Sequence, residues 1–286
     1  MRMKILIVTP ARNEALNLPR LAASLRFQTK KFEYVWVVVD DNSTDNTSEI
    51  FSGLELPFET HSLATKSTGK LISGGAYYTW WKGVDYGLKI HPECKYVLKI
   101  DADVILSSFY FEYIFEAMEL EPDVVGGVIS GSGREQRDFV PGPVKMYSAR
   151  ALHLIRNLPV ATGFDVMDEA LCRMNGFTTF VDQRATFEFS RPIGFSQGKL
   201  HGRFRNGLVC RWTGYAPEYF VLHLSRYVFR RPFILGAIWM LFGFLTAGPG
   251  PYDSKVKKYF RKIQRKRLLR ILINPITMIK NLYGLR

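Results

Sequence analysis

Only three cysteines occur in 286 residues, Cys94, Cys172 and Cys210. Their odd number and wide spacing offer no disulfide framework and no thiolate zinc site, which points to a reducing compartment. No G-x-G-x-x-G follows the first apolar run, Lys4–Val8, and no Gly-Lys-Ser/Thr loop appears. The first absence counts against a dinucleotide-binding dehydrogenase, the second against a P-loop NTPase. The five histidines, His61, His91, His153, His201 and His223, lack metal-ligand spacing along the chain. The apolar residues before Arg12 are too few for a signal peptide, so the body of the chain is expected in the cytoplasm. Acidic residues are absent from 254–286, which hold eleven Lys or Arg. The net charge of +13 is therefore mostly that tail, because residues 1–253 carry 28 basic against 26 acidic side chains.

What is present is an ordinary globular composition, 47% hydrophobic and 23% charged. Lys4–Val8, Tyr34–Val39 and Tyr96–Ile100 are short runs rich in Val, Ile and Leu, and read as buried strands. Helices are predicted at 14–27, with Leu18, Leu21 and Leu25 on one face, and near 44–51, 74–88 and 109–120. A further strand is expected at Val124–Ile129. Strands alternating with helices predict an α/β fold with a mostly parallel sheet covered by helices. The stretch 131–142 reads as a loop. A helix at Asp168–Asn175 stops at Gly176, Phe177–Val181 follows as a strand, and 194–207, rich in Gly and basic residues, reads as a mobile loop.

Ligands of such sheets bind outside the carboxyl ends of the strands. Three strands deliver polar residues there: Thr9-Pro-Ala-Arg-Asn-Glu14, then Asp40-Asp41-Asn-Ser-Thr-Asp45, then Asp101-Ala-Asp103. Carboxylates at a strand end suit Mg2+ or Mn2+, which take oxygen ligands and leave room for phosphates. Alone, an Asp-x-Asp turn is equally well a strand-to-helix turn. The three motifs in this order resemble family 2 glycosyltransferases with the GT-A fold. That resemblance implies inverting transfer from a nucleotide-diphosphate sugar. It assigns Asp41 to the nucleotide base and Thr9, Pro10, Ala11 and Glu14 to the base and ribose wall. Asp101 is implied at the ribose or diphosphate, sharing with Asp103, the principal ligand, a Mn2+ or Mg2+ ion. Asp40 is expected to support its turn and Asp45 to sit at a helix N-terminus.

Direct displacement by a hydroxyl needs a general base, usually Asp or Glu. Asp165, Asp168 and Glu169 are the candidates, and each also suits a helix N-terminus. Family members place an acidic pair before a helix ending in Arg-x-x-Gly and an aromatic. Here Asp168-Glu169 precede Arg173-Met-Asn-Gly176-Phe177, so Asp168 is the expected base and Glu169 its rival. Relatives often carry His before the arginine that follows; this chain has Phe189-Ser190-Arg191. Arg191 is the expected diphosphate contact, with Lys199, Arg203, Arg205 and Arg211 as further basic candidates. Arg211-Trp212 resembles one pair of the processive polysaccharide synthases, but the rest of their motif is missing, which implies a non-processive enzyme. Pro10–Glu14 contains no glycine, which argues against a sugar-phosphate nucleotidyltransferase.

Residues 232–252 carry no charge, but Pro232, Pro249 and Pro251 confine a helix to about 233–247. At 1.5 Å per residue it is roughly 23 Å long, short of the ~30 Å hydrocarbon core. Beyond it, Val256, Tyr259, Phe260 and Ile263 form an apolar stripe among lysines and arginines, the pattern of a helix lying on anionic lipid. The expected organisation is a catalytic domain at 1–225 and a membrane-associating region at 226–286, working at the cytoplasmic face of a membrane. The expected partners are a nucleotide-sugar donor, a lipid-linked or glycan acceptor and an anionic membrane surface, with no nucleic acid.

Overall fold

A computed structural model describes residues 4–28, 33–66, 74–131, 139–191, 198–228 and 231–273. In chain order these form β1 (Lys4–Ala11), α1 (Leu18–Arg26), β2 (Glu33–Asp41), α2 (Thr47–Ser52), β3 (Glu59–Thr65), α3 (Gly75–Ile90) and β4 (Tyr96–Ile100). There follow β5 (Val104–Leu106), α4 (Tyr110–Met118), β6 (Val124–Ile129), β7 (Val144–Ser148), α5 (Ala149–Ile155), α6 (Phe164–Met174) and β8 (Thr179–Phe189). Four helices close the described chain: α7 (Lys199–Trp212), α8 (Pro217–Val228), α9 (Phe233–Thr246) and α10 (Ser254–Ile273).

One sheet has the order β3-β2-β1-β4-β7-β6-β8-β5. The half from β3 to β4 is parallel throughout. The other half is not: β7 runs antiparallel to β4 and β6, and β5 antiparallel to β8. The sheet is therefore mixed where a mostly parallel one was expected. The parallel half needs helical crossovers, and α1, α2 and α3 supply them. Strand β7, broken by Lys145, was hidden because a lysine in an apolar strand violates the usual pattern.

Strands β1, β2 and β4 are rich in Val, Ile and Leu because both of their faces are covered, while the edge strand β3 is polar and half-exposed. On one face α1 and α4 bury Leu18, Leu21, Leu25, Tyr110, Phe111 and Ile114, while Trp36 meets Phe51 edge-on at 5.0 Å. Each such buried side chain contributes about 1.5–3 kcal/mol. On the other face lie Trp80, Trp81 and Val84 of α3 with Phe164 and Met167 of α6, joined by Tyr252, Val256 and Phe260 from beyond α9.

Local boundaries differ from the sequence reading in several places. The helix expected from Asp168 already starts at Phe164, which puts Asp168 and Glu169 inside it, and the strand expected at Phe177–Val181 runs from Thr179 to Phe189. The helix expected from residue 14 starts at Leu18, because the amides of Asn17 and Leu18 turn back onto the Glu14 carbonyl. Of the stretch 194–207 read as a loop, 194–197 lie outside the described residues and 199–207 are helical.

Helix α9 is pressed onto α7 backbone to backbone. A Cβ on Gly207 would lie 1.8 Å from the Met240 carbonyl oxygen, and one on Gly243 2.0 Å from that of Phe204. Phe220 and Phe244 stack at 4.0 Å beside them. Among the described residues no helix is long and apolar enough to cross a membrane.

Candidate active site

The first two polar strand ends lock onto each other. Asn13 takes the left-handed backbone conformation, its amide donates to Ser43 Oγ at 2.9 Å, and its Oδ1 accepts from Thr44 N at 2.8 Å. Asp40 accepts from Ser43 and Ser48, while Asp45 accepts from the amides of Thr47 at 3.1 Å and Ala15 at 3.3 Å. Asp40 and Asp45 thus serve the turns. Asp41 and Ala11 are buried at these same strand ends, and Pro10 is half-buried. Thr9 is fully buried, and its hydroxyl accepts from the Trp36 indole at 2.9 Å, so this side chain faces the core.

The third strand end closes the cluster. Between β4 and β5, Asp101 exposes about a third of its side chain and Asp103 about a fifth. Asp101 contacts the Lys99 ammonium, which also donates to the Gly142 carbonyl at 3.1 Å. Burial raises the Asp101 pKa above the ordinary carboxylate value, with Lys99 opposing. Arg191, at the end of β8, donates through Nε to Asp103 Oδ2 at 2.9 Å and through Nη2 to Glu14 Oε1. Burial also raises the pKa of Glu14, against the pull of Asn17 and Arg191. Glu14, Asp103 and Arg191 therefore form one ion-pair network, with Lys99 and Asp101 beside it.

These residues fit a divalent cation by the chemistry of their donors. Asp101 and Asp103 offer carboxylate oxygen alone, the set that suits Mg2+ or Mn2+ over softer metals. Both carboxylates already draw cationic side chains in the structure.

The second acidic cluster is built differently. Asp168 and Glu169 are both fully buried. Asp168 Oδ2 accepts from the Tyr147 hydroxyl at 2.5 Å, and its two oxygens lie 3.2 and 3.4 Å from Lys145 Nζ. Glu169 accepts from the Val140 amide at 2.8 Å, lies 3.3 Å from Lys145 Nζ and pairs with Arg173 at 2.7 Å. Burial pulls the Lys145 pKa down, but Asp168, Glu169 and Asp165 outweigh it and leave the ammonium more basic than usual. Two carboxylates and two cations neutralise one another out of solvent.

Asp165, one turn earlier on α6, is only half-buried. Its carboxylate lies against Gly142, where a Cβ would come within 2.6 Å of Oδ2. The Gly142 carbonyl is the group that accepts from Lys99, so Asp165 reaches the Asp101 side of the molecule. Burial raises its pKa above the usual value, with Lys145 opposing.

Lys99 and Lys145 were missed from the sequence, although it carries a signal for both. Each interrupts an otherwise apolar strand, Tyr-Val-Leu-Lys99-Ile and Val-Lys145-Met-Tyr, and a buried charge is tolerated only when paired. Of the other basic candidates, Arg203 lies over the Tyr227 ring at 4.2 Å and Arg211 over Phe244 at 5.6 Å.

Comparison with known proteins agrees with this fold. A family model described as glycosyl transferase family 2 matches residues 6–174. No curated protein matches the chain. Among solved structures, the chain is similar to the mannosyltransferase PcManGT from Pyrobaculum calidifontis in complex with GDP-Man and Mn2+. Identity there is 17%, coverage is 100% of this chain and 86% of that one, and the TM-score is 0.59. It is also similar to S. aureus TarS 1–349 in complex with UDP-GlcNAc, with 17% identity, 99% and 90% coverage and a TM-score of 0.53. At these identities the likeness speaks for the fold.

Proposed function

The chain belongs to glycosyl transferase family 2, and we propose that it transfers a sugar, with inversion, from a nucleoside diphosphate sugar to an acceptor hydroxyl. The observation that carries this is the junction of Asp101, Asp103, Glu14 and Arg191 at the carboxyl ends of the strands. Asp41 and the Pro10–Ala11 backbone wall the nucleotide beside it. Arg191 turns from Asp103 to the donor diphosphate, for which its planar fork is suited. Asp103 and Asp101 hold Mn2+ or Mg2+, which when bound offsets charge on the departing diphosphate. The PcManGT complex, with GDP-Man and Mn2+, supports both the donor class and the metal; TarS with UDP-GlcNAc supports the donor class.

We assign the general base to Asp165 rather than Asp168. A base must reach the acceptor hydroxyl, and Asp168 is sealed behind Lys145 and Tyr147, whereas Asp165 borders the strand-end cluster. Its raised pKa brings it closer to the working pH, which favours proton transfer. The test is a panel of nucleoside diphosphate sugars, assayed for donor hydrolysis and transfer with Mn2+ and with EDTA. Turnover with one or a few donors, lost in EDTA, is expected; no turnover with any donor, or full turnover in EDTA, would sink the reading.

The acceptor we propose is membrane-associated, with the enzyme on the cytoplasmic face. Helix α9 buries Gly236, Ala237, Met240 and Gly243 against α7 and exposes Ile234, Leu235, Ile238, Trp239, Phe242 and Leu245. So apolar an exposed face marks an interaction surface. Exposed Lys255, Lys258, Lys262, Arg265, Lys266 and Arg270 on α10 add attraction to anionic headgroups of about 1 kcal/mol each. Salt screens that part but not apolar insertion. In liposome flotation, high salt should release the protein only partly, and Ile238→Glu with Leu245→Glu should release it fully. Protein that stays free of anionic liposomes at low salt refutes membrane docking.

A further inference from the structure

We propose that Glu59, His61 and His91 form a second metal site, for a transition metal of the Zn2+ class, at the end of the sheet opposite the catalytic cluster. Glu59 opens β3 and His61 follows two residues later on the same side of the strand. His91 is the first residue after α3. Lys4, the first residue of β1, lies beside them. The parallel strands run from this end toward Asp101 and Asp103, so the site takes no part in sugar transfer.

The three ligand atoms already converge. Glu59 Oε1 is 2.8 Å from His61 Nε2 and 2.8 Å from His91 Nε2, and all three atoms lie within 4.8 Å of one another. The outer nitrogens are also held. His61 Nδ1 is 3.2 Å from the Tyr86 hydroxyl, and His91 Nδ1 is 3.1 Å from Glu93 Oε1. Histidines that bind metal almost always give their other N–H to such a partner, which fixes the ring and the tautomer. Binding moves the ring proton of each histidine from Nε2 to Nδ1, and the two inward lone pairs with one Glu59 oxygen become the ligands. Lys4 Nζ, now 2.8 Å from His91 Nδ1, then rests on carboxylates within its reach, Glu93 at 3.2 Å and Glu59 Oε2 at 3.7 Å.

Two imidazoles and a carboxylate suit Zn2+ over Mg2+ or Mn2+, in contrast to the oxygen-only pair Asp101 and Asp103. The residues are part-exposed, which leaves the remaining coordination positions to water. Strand β3 is an edge strand, paired on one side only. A metal here would tie that edge to the end of α3.

The experiment is calorimetric titration of ZnCl2 and MnCl2 into full-length, metal-stripped protein carrying Asp103→Asn, so that the strand-end site does not account for the heat. One saturable Zn2+ equivalent is expected, with little response to Mn2+. Binding should vanish in His61→Ala with His91→Ala and fall about 10- to 100-fold in Glu93→Gln and in Tyr86→Phe. Glu59→Gln, a surface change that keeps a hydrogen-bond acceptor, should lose most of the affinity with an unchanged circular dichroism spectrum. X-ray absorption should show two imidazole nitrogens at about 2.0–2.1 Å. Zn2+ binding that is absent, that survives loss of both histidines, or that shows an oxygen-only shell overturns the proposal.

Discussion

Asp101 with Asp103, between two strands, and Asp168 with Glu169, within a helix, are both acidic pairs, and along the chain they look equally catalytic. In the fold their surroundings are opposite. The strand-end pair keeps part of its surface open; of its cations, Lys99 is buried beneath it and Arg191 lies half-exposed at its rim. The helix pair is fully buried, with Lys145 between the carboxylates and Tyr147 and Arg173 closing the remaining acceptors. Charge that is open to exchange can receive a diphosphate or a metal. Charge that is internally neutralised holds helix to sheet, here α6 to β7. What an acidic pair can bind is set by whether its counter-ions can move away from it.

The largest expected effect comes from breaking the sealed pair. Lys145→Met leaves two buried carboxylates without their shared cation, and loss of one partner of a buried ion pair costs about 3–5 kcal/mol. Against a total stability of roughly 5–15 kcal/mol, thermal unfolding should move down by many degrees and activity should fall with it. Asp103→Asn, by contrast, should abolish transfer while the melting temperature stays near that of the wild type. Equal melting temperatures for both variants would erase the distinction between the clusters.

Smaller in scope is the effect within α6. Asp165→Asn should lower kcat by about 10²–10⁴ with little change in the KM for the donor. Asp168→Asn should act mainly on stability. The base must be ionised to work, and burial places the Asp165 pKa above the ordinary 3.8. Activity should therefore be lost as pH falls through that raised value, and the acid limb of kcat/KM should lie above the normal aspartate range. Full rate in Asp165→Asn would assign the acceptor to a phosphate, which needs no base.

The C-terminal helices divide in a similar way. In sequence, the stripe of Val256, Tyr259, Phe260 and Ile263 on α10 looked free to lie on lipid. In the fold Val256 and Phe260 join the core, Phe260 meets Phe139 at 5.7 Å and Tyr215 at 5.5 Å, and Gln264 accepts from the Ala216 amide at 2.7 Å. Removing the chain after Tyr252 would strip the body of core residues as well as charge. The apolar face left over is that of α9.

By itself the sequence determined what depends on neighbours along the chain. Runs of valine and isoleucine specify strands, Asn and Asp at their ends specify the turns, and each strand carries its terminal carboxylates with it. Strands β1, β2 and β4 and the Asp101–Asp103 strand end were legible for that reason, whereas the polar edge strand β3 was not. Tertiary structure alone decided which charges meet across distant segments: Arg191 with Glu14 and Asp103, Lys145 with Asp168 and Glu169, and Glu59 with His61 and His91. An ion pair or a ligand set is a matter of a few ångströms and of exclusion from water. Neither quantity exists until strands far apart in sequence lie side by side.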